Sequence, residues 1–250
     1  MVEFSICLEM VYDDEPFRDR IHRAAAAGVG AVEFWDWRGK DLDAIETAAA
    51  ESDVEIVGCV AGGVLTDPGA ADDAVETIRE SIETASGLGI PTLIATTGPD
   101  QDGLDRPQQR ENVVDVLSRV AADAEAADVA IALEPLNTDV DHPRNYLSTS
   151  EEGFEIVDAV GSPAVTLLYD VYHQQITEGD VIRTITENVD RIGHVHVADV
   201  PGRHEPGTGE LNYENVFRAI DDAGYDGFVG CEFSPTGDPD AAIAAVLELN

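Results

Sequence analysis

Short apolar runs alternate with longer amphipathic segments along the whole chain. The runs are EFSICL (3–8), GAVEFW (30–35), VEIVGC (54–59), PTLIAT (91–96), VAIALE (129–134), AVTLLYD (164–170), RIGHVHVA (191–198) and GFVGCEF (227–233). They are short and rich in Val, Ile and Leu, as strands buried on both faces tend to be. Between them, DLDAIETAAAESD (41–53), ADDAVETIRESIETASGLG (71–89) and ENVVDVLSRVAADAEAADV (111–129) carry apolar residues three or four apart and open on acidic residues, which predicts helices. The glycines of AGV, LGI and AGYDG fall near helix ends, where a left-handed residue is needed. Eight such strand–helix units predict a parallel sheet with helices outside it. Eight units in 250 residues match a closed (β/α)₈ TIM barrel. The alternative is an open doubly wound sheet, but no G-x-G-x-x-G follows the first strand to support a dinucleotide site. No linker or low-complexity segment divides the pattern, so residues 1–250 read as a single TIM-barrel domain.

Composition narrows the function classes. The chain has 51 acidic and 14 basic residues, a formal net charge of −37, and one lysine, Lys40. Such a surface fits a halophilic protein working in concentrated salt, where self-repulsion is screened. Nucleic acid is a poor partner, because phosphates call for a basic patch. No apolar run approaches the ~20 residues of a membrane helix. The start, MVEFSICLEM, has no basic segment before its apolar stretch, so a cytoplasmic location is expected. Cys7, Cys59 and Cys231 lie far apart in strand-like runs, which predicts buried reduced thiols.

In a barrel of this kind the chemistry sits at the C-terminal ends of the strands. Strand five ends in Glu134, strand six in Asp170, strand seven carries His196 near its end, and strand eight carries Glu232. A charge at the end of a buried strand is costly unless paired or bound to metal. Three converging carboxylates repel one another without a cation between them. Taken singly, such an acid can be a helix N-cap, as Asp170 before VYHQQ can be. Four together favour a metal site formed by Glu134, Asp170, His196 and Glu232. Three carboxylates and one imidazole suit Mn²⁺, Mg²⁺ or Co²⁺. Period-two alternation points His194 and His196 both inward; His196 reaches the rim, and His194, one layer down, reads as a hydrogen-bonded core histidine.

Carboxylates around a metal suggest proton transfer on a small hydroxy-carbonyl substrate, with the metal stabilising an enediolate and Glu134 and Glu232 moving the proton. His173, in D-x-x-H with Asp170, is placed to polarise a carbonyl oxygen. Arg203, in the loop after strand seven, is placed to hold a substrate carboxylate or hydroxyl. The glycines of EPGTGE would let that loop turn over the site.

The segments LEPLN, YDVYH, GHVHVADVPGRHEPGTGELNY and GYDGFVGCEF resemble the hydroxypyruvate isomerase family, within the xylose isomerase-like TIM-barrel superfamily of sugar isomerases and epimerases. EFSICLEM and AAAAGVGAVEFW fit it too. The resemblance is densest over about residues 129–235. It implies a metal-dependent isomerase of the aldose–ketose type acting on a small hydroxy-carbonyl acid or sugar. It puts the metal ligands on Glu134, Asp170, His196 and Glu232 and the proton-transfer pair on Glu134 and Glu232. Glutamine can stand at the third ligand position in hydroxypyruvate isomerases; His196 is similar there to the ketose 3-epimerases. Three alternatives follow: a ketose 3-epimerase, a metal-dependent phosphodiester nuclease of a related fold, and a non-catalytic sugar-binding barrel. A homo-oligomer is compatible with the sequence.

Overall fold

The computed structural model describes residues 1–250. Eight parallel strands close a barrel in sequence order: β1 (Glu3–Cys7), β2 (Ala31–Phe34), β3 (Glu55–Val60), β4 (Thr92–Ala95), β5 (Ala130–Leu133), β6 (Val165–Asp170), β7 (Ile192–Val197) and β8 (Phe228–Cys231). The helices are α1 (Leu8–Val11), α2 (Phe17–Ala26), α3 (Leu42–Ser52), α4 (Ala71–Leu88), α5 (Arg106–Ala127), α6 (Ser150–Val160), α7 (Val171–Thr177), α8 (Val181–Asn188), α9 (Tyr213–Asp222) and α10 (Pro239–Glu248). This is the expected (β/α)₈ barrel. No helix is long and apolar enough to cross a membrane.

Local chemistry sets the element ends. Asp41 caps α3 by accepting from the Ala44 N–H. Helix α5 begins five residues before the periodic segment, because Asp105 and Gln108 form a reciprocal capping box and Pro107 sits in its first turn. Gly89 closes α4 at φ 70°, a left-handed conformation that a side chain rarely adopts.

The helices bury their apolar stripes against the outside of the barrel, in a cluster of 64 buried residues. The barrel interior is divided. Ile94, Ala132 and Leu168, from β4, β5 and β6, form a small separate apolar cluster. Across from them the interior is polar, with Glu33, His194 and His196 all buried. Two register shifts interrupt the ladders, between Val32 and Glu33 on β2 and between Leu167 and Leu168 on β6. Irregularities of this kind re-aim side chains and gather near functional sites. Cys7, Cys59 and Cys231 are free and buried.

Candidate functional site

Strand ends deliver four chemical groups to one place. One ligand atom from each of Glu134, Asp170, His196 and Glu232 lies within 4.8 Å of the others, and all four residues are buried. Glu134 and Glu232 stand one residue past β5 and β8, yet their backbones stay in the ladder. The Glu134 N–H donates to Ala95 O at 2.8 Å and the Glu232 N–H to Val197 O at 3.2 Å. The rim glutamates are therefore fixed by the sheet rather than by a loop.

Asp170 plays both parts open to it. Its Oδ1 caps α7, accepting from the N–H groups of Tyr172 (2.7 Å) and His173 (3.1 Å). Its Oδ2 faces the cluster, 3.6 Å from His173 Nε2 and 3.8 Å from Arg203 Nη2. Burial pushes its carboxyl above the usual range, against the pull of Arg203 and His196.

His196 spans two levels. Its Nδ1 faces Glu134 Oε1 at 3.7 Å and Glu232 Oε2 at 3.5 Å, while its Nε2 stands 3.1 Å from Glu33 Oε1. Burial would lower the imidazole's affinity for a proton, but Glu33 and Glu232 outweigh it and raise it well above the ordinary value. One layer down, His194 bonds Glu33 Oε2 at 2.7 Å, as expected of a core histidine. Burial alone would raise the Glu33 carboxyl; the two imidazoles hold it at about 2.

The two residues expected to contact substrate are both here. His173 is fully buried, and the Asn137 side-chain amide donates to its Nδ1 at 2.6 Å. The proton therefore sits on Nε2, which has no hydrogen-bond partner. Burial lowers its pKa to about 4, so a neutral N–H points at the cluster. Arg203, held at φ 56°, pairs through Nη2 with Glu232 Oε2, and its Nε is buried without a partner. Burial opposes the guanidinium's charge, but Glu232 and Asp170 raise its pKa further. Glu232 is held well below the carboxylate range: burial opposes this, and His196 and Arg203 prevail.

Besides Asn137, three contributors lay outside the sequence expectations. Glu33 sits beneath the cluster. The Trp35 indole N–H donates to Glu232 Oε1 at 3.0 Å. Asp199, fully buried, fastens the loop that carries Arg203, accepting from the N–H groups of Val200 and Leu211 on Oδ1 and of Gly207 and Gly209 on Oδ2. Glu33 and Trp35 were visible as a charge inside, and an indole at the end of, one strand-like run; the closure by Asp199 involves residues up to twelve apart and leaves no local signal.

The donor set fits a divalent cation. Glu134 Oε1 and His196 Nδ1 are buried and lack hydrogen-bond partners, and their residues cluster with Asp170 and Glu232. Carboxylates buried so close together repel unless a cation lies between them.

A parallel eight-stranded barrel with acidic and imidazole groups gathered at its C-terminal rim defines a TIM-barrel enzyme. Residues 21–249 match the xylose isomerase-like TIM barrel family, and the chain belongs to that family. It is an isomerase: it is 34% identical to a 2-oxo-tetronate isomerase of Cupriavidus necator over 97% of this chain and 96% of that one. It is 30% identical to the hydroxypyruvate isomerase of Escherichia coli, over 97% of each. A solved Brucella melitensis structure described as an AP endonuclease of family 2 superposes with TM-score 0.95 at 30% identity, over 99% of both chains.

Proposed function

We propose that this protein is a metal-dependent isomerase of small hydroxy-carbonyl acids, of the hydroxypyruvate or 2-oxo-tetronate kind, which exchanges the oxidation levels of adjacent carbons. Glu134, Asp170, His196 and Glu232 would hold the ion. When bound, it would supply positive charge to stabilise the substrate's developing enediolate oxygens. The protein's own groups carry the rest. Glu134 and Glu232 reach the site from strands three apart, so one can take the proton from the hydroxyl-bearing carbon and the other can return it to the neighbouring carbon. The neutral His173 Nε2–H donates to a substrate oxygen. The Arg203 Nε–H, free while Nη2 stays on Glu232, offers a donor to the substrate carboxylate. The convergent, unpartnered Glu134 Oε1 and His196 Nδ1 carry this reading.

The test is a chelated preparation given hydroxypyruvate, a 2-oxo-tetronate or a free ketohexose in deuterated water, with and without Mn²⁺, Mg²⁺ or Co²⁺. Metal-dependent deuterium uptake into a short keto acid, with its isomer as product, is expected. Full turnover by metal-free protein refutes the metal. Exchange confined to C3 of the ketohexose makes the protein a 3-epimerase, which would use the same two glutamates. A nuclease reading is disfavoured by a cluster with one histidine in four and by a net charge of −37, which repels a phosphate backbone.

A further inference from the structure

Glu33 is the one buried carboxylate on the barrel's strands that the reaction above leaves without a task. It lies on β2 at a break in register, and its carboxylate occupies space left by two glycines. A Cβ on Gly58 would stand 3.2 Å from Glu33 Oε2, and one on Gly230 would collide with Oε1. Two imidazoles approach from β7: His194 Nε2 hydrogen-bonds Oε2 at 2.7 Å, and His196 Nε2 stands 3.1 Å from Oε1, off the line of a hydrogen bond, with neither of those two atoms partnered elsewhere. The two rings meet edge to face with centroids 4.9 Å apart.

Each ring nitrogen facing Glu33 needs an acceptor if it carries the proton. A carboxylate gives one oxygen to each; an amide of the same size offers one acceptor and one donor. Only the neutral imidazole can hold a metal, and in that form whichever nitrogen of His196 keeps the proton, the other has a free lone pair. With the proton on Nε2, the lone pair is on Nδ1, the atom that faces Glu134 and Glu232. We propose that Glu33 is a positioning residue that sets the tautomer of His196: it holds the proton on Nε2 and keeps the Nδ1 lone pair toward the four-residue cluster. This rests on the reading of that cluster as a metal site. Partners of this kind typically change metal affinity 10–100-fold.

The test is calorimetric titration of metal-free protein with Mn²⁺, with thermal melting as a check of folding. E33Q is expected to bind Mn²⁺ about 10–100-fold more weakly. H194Q keeps a donor for Glu33 and should bind within about twofold of the unaltered protein. In E33Q/H194Q the amide introduced at position 33 can donate to the amide oxygen introduced at position 194 and turn its own oxygen to His196, so most of the E33Q loss should be recovered. A merely structural Glu33 would lower the melting temperature and leave the affinity alone, with no recovery in the double variant; that result overturns the proposal. A second measurement needs no variant: in Mg²⁺-loaded protein, ¹⁵N-correlated spectra should show the His196 proton on Nε2, and a proton on Nδ1 overturns the proposal. Absence of Mn²⁺ binding by the unaltered protein would sink the metal reading itself, whereas tight binding with an unchanged E33Q affinity sinks this inference alone.

Discussion

Asp199→Asn should loosen the loop that holds Arg203 without unfolding the barrel. Oδ1 of Asp199 accepts from Val200 (2.9 Å) and Leu211 (3.1 Å), and Oδ2 from Gly207 (2.9 Å) and Gly209 (2.8 Å). Asparagine can keep the first pair but must present an NH₂ group to the second, so two backbone N–H groups lose their acceptor and face a donor. Hydrogen bonds to a charged group are worth about 1.5–3 kcal/mol each. Shared loop motion and entry of water reduce the sum, so we expect about 3 kcal/mol, or about 10² in local opening. The Gly209 position has no slack to absorb this, because even a Cβ there would lie 2.5 Å from Asp199 Oδ1. Arg203 is tied to the same turn by its N–H to Asp199 O (3.1 Å) and by the Ser234 N–H to its own carbonyl (2.8 Å). A displacement of about 1 Å at a catalytic group typically costs about 10²-fold in rate. Amide hydrogen exchange should therefore quicken about 10²-fold at Gly207 and Gly209, with core amides in β4 and β5 unchanged, and kcat/KM should fall by a similar factor. Unchanged protection at those two amides would refute the argument, and so would a loss spread evenly over the barrel.

The remaining expectations use the same geometry. Asp170→Asn should weaken Mn²⁺ binding while metal-free stability holds or rises, since the Asn oxygen can still cap α7 and one buried anion is gone; severe loss of metal-free melting temperature would make Asp170 chiefly a cap. Glu134→Gln and Glu232→Gln should each slow turnover about 10²–10⁴-fold at saturating metal with substrate binding kept, and near-normal turnover would remove that residue from proton transfer. The two differ in stability: Glu232→Gln leaves the Arg203 guanidinium only the more distant Asp170 and should cost about 1.5–3 kcal/mol in metal-free urea unfolding, whereas Glu134 Oε1 makes no hydrogen bond and its variant should be nearer neutral. The three thiols should resist Ellman's reagent at pH 8 until the protein is unfolded, because burial pushes Cys59 up to about 12 and Cys7 and Cys231 upward as well; prompt reaction of any one in native buffer would show that it opens locally.

What the sequence disclosed follows from how each feature is encoded. Strands buried on both faces must be apolar from end to end, so all eight were visible, and a charge closing such a run stood out. Glu134 and Asp170 were legible for that reason, His196 and Glu232 as polar groups one or two residues from the end of such a run, and the four do come together. His194 and His196 were separable because alternate residues of a strand share a face, one layer apart. Strand limits were less exact: β5 and β8 end a residue before their glutamates, because the ladder there narrows to a single backbone bond on each. Glu33 obeys the same rule as the rim residues, a charge within an apolar run, but it lies inside GAVEFW rather than at its end. Its meaning appears only when β7 is brought beside β8 and the barrel closes onto β2, placing two imidazoles opposite it. Asp199 and Asn137 lie further still from local signals. Their partners are backbone N–H groups of a loop and the ring nitrogen of a histidine 36 residues away, and only the closed barrel and its folded loops bring such groups within reach. The four side chains proposed to hold the metal were thus readable from strand pattern, whereas those that aim them were not, because aiming is done across the barrel by residues whose partners no periodicity connects.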